Sequence, residues 1–166
     1  MFGSKNKKFF VSIFILVFFS VFSLFARDNL KDDLGVLSKS AFKSINKLLN
    51  STIKKTKIDN TVAIVQDEAD IAEDNLAHEI LVGIADGNKK YDGIILLIVL
   101  DKKNEVSALH MAALGEKSEA VITKQRMNYI MDVAFNLGIE DEKYESGLEV
   151  YTKMVELFFE YAEDDS

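Results

Sequence analysis

Residues 91–106 read YDGIILLIVLDKKNEV. From Gly93 to Leu100 the side chains are apolar without a break. A strand with one wet face alternates apolar and polar residues, whereas a strand covered on both faces does not. Gly93–Leu100 is therefore predicted to be a central strand of an α/β sheet. The DKKN of Asp101 to Asn104 reads as a tight turn, and Glu105 to Leu114 as a strand returning antiparallel.

Upstream, Thr61 to Gln66 is rich in β-branched residues and is read as a second strand. Before it, Leu37, Ala41, Ile45, Leu48, Leu49 and Ile53 recur at helical spacing up to about Lys55, with Ser38 or Ser40 placed to cap the helix. A second helix is expected from about Ile71 to Asp86, closed by Gly87 and Asn88. Gly115 to Ala120 reads as an acidic loop. Thr123 opens a helix to about Leu137 with Met127, Ile130, Met131, Ala134 and Leu137 inward, and Gly138 to Lys143 breaks it. The last helix covers about Glu145 to Glu160, with Leu148, Tyr151, Met154, Val155, Phe158 and Tyr161 as its stripe. The predicted fold is a single α/β domain: a short mixed β-sheet flanked by helices on both faces, an αβα sandwich. It is assigned to residues 37–163, after a polar lead-in over residues 27–36.

The first 26 residues differ from all this. Lys5, Lys7 and Lys8 precede an uncharged run from Phe9 to Phe25, and eight of the chain's 12 Phe lie before residue 27. This is the pattern of a secretory signal. Ala26 offers a cleavage point, although Leu24 is large for the −3 position. The run also nears the length of an uncleaved anchor. Either way the chain is expected to be exported, periplasmic or extracytoplasmic, and in the second case held at the inner membrane.

The 166 residues carry 20 basic and 27 acidic side chains, a net charge of −7. No acid precedes residue 27, so the rest of the chain is more acidic still. Such a surface excludes nucleic acid as an expected partner, because no basic face exists to displace counterions. The absence of Cys excludes disulfides, thiolate–metal sites and a thiol nucleophile. No Gly-rich phosphate loop is present, so no nucleotide is expected.

Two acidic groupings follow from the order of elements. If the strands from Gly93 and from Glu105 form a hairpin, Asp92 approaches Gly115 to Glu119. Asp92, Glu116 and Glu119 are then candidate ligands for Ca²⁺ or Mg²⁺, both of which take oxygen donors; Lys124 is near enough in sequence to neutralise one of them. Asp67, Glu68, Asp70 and Asp101 would gather at the opposite strand ends if the strands from Thr61 and Gly93 are parallel. The plainer reading of Asp70, Glu73 and Asp74 is charge suited to a helix N-terminus. His78 and His110 are isolated in sequence, and Ser118 has no identifiable base. No catalytic set emerges.

The middle and C-terminal parts resemble the TPM domain family. The family has a helix, a strand of the IVVVTV kind (here Thr61 to Gln66), a second helix, and a DNG leading into an aliphatic run (here Asp92 and Gly93). A Gly-rich acidic loop and an LTD then open a helix; LGEKSEAVIT places Gly115, Glu119 and Thr123 there. A closing F..G.Y..G motif corresponds to NLGIEDEKYESG, with Tyr144 and Gly147. The likeness runs from about Gly35 to Phe159. Lys124 stands where the family has Asp, and Glu116 and Lys117 replace the usual basic residue and Gly. The resemblance implies either an accessory domain that binds an envelope or membrane protein, with a structural divalent ion, or a metal-assisted acid phosphatase acting on phosphomonoesters.

Overall fold

The computed structural model describes residues 29–32, 34–67, 92–139 and 143–164. The segment of residues 1–26 read as an export signal, the helix expected from Ile71 to Asp86, His78, Glu68 and Asp70 lie outside these residues.

Gly93–Leu100 (β3) is buried along its whole length. It lies between Asp59–Gln66 (β2), parallel to it, and Val106–Leu114 (β4), antiparallel to it. Leu30–Asp32 (β1) adds a parallel strand on the far side of β2, so the sheet runs in the order β1-β2-β3-β4. The parallel β2–β3 pair requires a crossover of about a dozen residues or more, and the chain between Asp67 and Asp92 supplies it.

β1 forms within the segment read as a polar lead-in. Its three residues carry no strand signal; pairing with β2 makes them a strand. Leu30 is 1% exposed. Asp32 ends β1 and turns the chain, its carboxylate accepting the N–H groups of Val36 (3.1 Å) and Leu37 (2.9 Å).

Lys39–Thr56 (α1) follows, capped by Ser38, whose Oγ accepts the Ala41 N–H. It ends at Lys57 in the left-handed region, with Lys54 and Lys55 opposing the helix dipole. Ala41, Ile45, Leu49, Thr52 and Thr56 are its buried stripe. Ala41, Ile45 and Leu49 join Val62, Ile64, Ile94, Leu96, Ile98 and Leu100 in one core. The alternate residues Ala63, Val65, Ile95, Leu97 and Val99 point to the other face and are buried too. A strand buried on both faces is what the unbroken apolar run demanded.

The β3–β4 turn is built by Asp101, whose Oδ1 accepts the N–H groups of Lys103 (2.7 Å) and Glu105 (2.9 Å). Val99 pairs with Ala108 but Leu100 with Val106, which leaves Ser107 as an extra residue. Its hydroxyl donates to the Val99 carbonyl at 3.1 Å.

After β4, Glu116–Val121 forms a short helix (α2) where the sequence suggested a loop. Lys124–Ala134 (α3) is capped by Thr123 as expected but stops earlier than Leu137, passing into a π turn over Phe135–Ile139. The wider turn advances the phase of the chain, so Gly138 and Ile139 go inward and Leu137 is 56% exposed. Tyr144–Asp164 (α4) closes the core with Tyr144, Leu148, Tyr151, Val155 and Phe159. The expected stripe faces inward except at its end: Met154 and Phe158 pack against the core, Phe158 half-buried beneath the Arg126 guanidinium (5.0 Å to the ring centre), while Phe159 is buried in place of Tyr161, which is 66% exposed.

Lys55 and Glu156 form an ion pair between α1 and α4, and Thr52 donates to the same carboxylate at 3.2 Å. The Lys55 hydrogen bond holds the Glu156 carboxyl below its ordinary range. Solvent screens this pair, and Glu156→Gln is expected to lower Tm by no more than about 2 °C in a thermal melt. Among the described residues, no helix is long and apolar enough to cross a membrane.

Candidate functional site

The strand starts of β2 and β3 lie side by side, with Asp59 opposite Gly93. The Asp59 N–H donates to the Asp92 carbonyl at 3.0 Å. Because β4 is antiparallel, its last residue, Leu114, returns opposite Gly93. Gly115 therefore lies against Asp92, as the hairpin reading required.

The approach is close. Gly115 has φ +115°, and a Cβ there would stand 2.7 Å from the Asp92 Cα. Only glycine fits such a position without strain. With the backbone so near, the Asp92 carboxylate reaches the first turn of α2. Oδ2 accepts the Lys117 N–H at 3.0 Å and Oδ1 the Ser118 N–H at 2.8 Å. Asp92, just before β3, thereby serves as a cap supplied from far off in the chain, which is why six residues with weak helical pattern form a helix at all.

Partial burial pushes the Asp92 carboxyl up. The N–H groups of Lys117 and Ser118, the Ser118 side chain and the Lys117 charge outweigh it and hold the group below the usual carboxylate range. Asp59 moves oppositely: burial, and then the Asp92 charge, raise it. The two carboxyls thus share one end of the sheet while their affinities for a proton are driven apart.

Lys117 closes the arrangement. Its Nζ donates to the Thr56 carbonyl at the end of α1, 2.7 Å away, and lies 5.9 Å from the centre of the Phe159 ring. Behind it, Asn60 is buried and accepts the Tyr151 hydroxyl at 2.7 Å. Asn60 Nδ2 is also buried, with no hydrogen-bond acceptor among the described residues.

Of the residues chosen from sequence, Asp92 and Glu119 meet at Gly115, whose N–H donates to Glu119 Oε1 at 3.0 Å. Glu116, the first residue of α2, is exposed, as is Lys124 at the start of α3. Asp59 was not singled out, and Lys117 was noted only as a departure from the family's loop. Asp59 lies before the strand as read from Thr61, and its place beside Asp92 depends on the parallel register. Ser118 is fully buried and donates to the Gly115 carbonyl, so packing accounts for it. At the other sheet end the Asp67 N–H donates to the Leu100 carbonyl, while the Asp101 carboxylate is occupied by its own turn. His110 lies on β4 opposite Leu97.

A cation of the Ca²⁺ type takes six to eight oxygens. Each Asp92 oxygen already receives an N–H, which leaves a thin donor set. Among the described residues no three acid or imidazole side chains converge to hold an ion.

No match was found among the curated proteins. In overall shape the chain is similar to the N-terminal domain of a P. gingivalis protein solved by solution NMR, with a TM-score of 0.56 and 18% identity over 84% of this chain and 87% of that one. At that identity the likeness speaks to the fold alone. The sequence matches the TPM domain over residues 30–157, from the first strand to within the last helix. With the strand–Asp–Gly junction, the capped loop and the closing glycine in place, the chain belongs to the TPM domain family.

Proposed function

We propose that this TPM domain is an exported accessory module that acts in the cell envelope by binding a membrane or envelope protein rather than by turning over a substrate. One observation carries the choice: the acid best placed for chemistry, Asp92, has both oxygens engaged by main-chain N–H groups of α2. It fastens the loop. The positively flanked apolar segment before residue 27 supports export. A structural Ca²⁺ or Mg²⁺ at Asp92, Glu116 and Glu119 would need further oxygen donors beyond these three side chains, and the reading does not depend on it.

The test has two parts. Cell fractionation with protease protection is expected to place the chain outside the cytoplasm. Phosphomonoester hydrolysis, assayed on the full chain with Ca²⁺ and with Mg²⁺, is expected to stay at background. Metal-dependent turnover that disappears in Asp92→Asn, under conditions where circular dichroism shows the variant folded, would establish the phosphatase instead.

A further inference from the structure

The two edges of the sheet are built differently. β1 is three residues long and carries Lys31 and Asp32, which suits an edge guarded against further pairing. β4 is nine residues long, VSALHMAAL, with no Asp, Glu, Lys, Arg or Pro. Alternate residues of an edge strand turn their N–H and C=O groups away from the sheet. Among the described residues no strand pairs with β4 beyond β3. Its one irregularity, at Ser107, sits near the start and leaves 108–114 regular. Long, uncharged edges of this kind are templates for an added strand.

From this contrast we infer that β4 pairs antiparallel with β4 of a second copy, joining two four-stranded sheets into one across a two-fold axis at His110. Charge fixes where two copies can meet: the chain is acidic, so like charges oppose contact elsewhere, and β4 is a neutral strip where that repulsion is least. The strand is also complementary to itself. Pairing about His110 sets Leu109 against Met111 on the core face and Ala108 against Ala112 on the other. Large apolar groups meet large ones, small meet small, and each residue keeps its face.

The full chain has no native cysteine, which makes the test direct. Two differently tagged copies are coexpressed, one carrying Ala108→Cys and one Ala112→Cys, and the intact cells are mildly oxidised. Facing residues of an antiparallel pair lie within disulfide reach, whereas two copies of residue 108 stand four positions apart along the strands. The mixed pair is expected to yield roughly tenfold more disulfide-linked dimer than either same-position pair or an exposed control, Lys47→Cys. In parallel, the cysteine-free chain in mild detergent is expected to sediment as a dimer, and Ala112→Lys as a monomer with unchanged circular dichroism. Equal yields from mixed and same-position pairs, cross-linking to a protein of another mass, or a monomeric wild-type chain would each overturn the inference.

Discussion

Gly147→Ala is expected to lower unfolding stability by about 3 kcal/mol, measured by urea denaturation, the upper end of what overpacking costs. Gly147 lies in the first turn of α4, where that helix passes the π turn. A Cβ there would stand 2.6 Å from Ile139 Cγ1, 2.8 Å from the Ala134 carbonyl oxygen and 3.0 Å from the Ile139 N. Two of those three atoms are main chain and have no rotamer with which to yield. Gly138 faces the same junction, and a Cβ on it would meet the Gly147 N and the Lys143 carbonyl oxygen at 2.6 Å. Gly138→Ala should therefore be comparably damaging. If both substitutions cost less than 1 kcal/mol, α3 and α4 do not pass as closely as described.

Asp92→Ala is expected to cost about 2 to 3 kcal/mol, because it removes a charged acceptor from two N–H groups at once. Partial exposure lets water take over some of those bonds and keeps the cost from running higher. The sign of the pH dependence follows from the two carboxyls. Asp92 has a folded pKa below its unfolded value. Its contribution is fully present above the unfolded pKa and is lost as pH falls through the folded one. Asp59 has a raised folded pKa, so its ionised form disfavours the fold and that penalty disappears on acidification. A plot of stability against pH should therefore lose part of its acid slope in Asp92→Ala and steepen in Asp59→Asn. The same slope in wild type and both variants would show that neither carboxyl is perturbed as described.

Much of this architecture was legible in the residues. GIILLIVL announced a strand buried on both faces, and its length leaves little room for another reading. Ser38 and Thr123 marked their helices because a hydroxyl before an apolar period has a definite job at an N-terminus. The proximity of Asp92 to Gly115 followed from one hairpin. What stayed hidden depends on partners far off in the chain. β1 is a strand because β2 is beside it. α2 is a helix because Asp92 caps it across 25 and 26 residues. Leu137 turned outward because a π turn shifts phase, and no spacing rule anticipates one extra residue. Asp59 and Lys117 joined the site through a parallel register and a helix end, neither of which leaves a local pattern.

The contacts of α4 with α1 and β2 have a consequence for how the molecule comes into being. Thr52 and Glu156 are 104 positions apart, and Asn60 and Tyr151 are 91. The β3–β4 hairpin needs only neighbours and can close early. The layer that covers it is completed only once α4, far downstream of the hairpin, has been made. Closing such distant pairs is slow, since loop entropy is lost before the contacts form. A nascent chain therefore keeps its apolar sheet uncovered until α4 arrives, and during that interval it is open to chaperones, to aggregation and to transport as an unfolded thread.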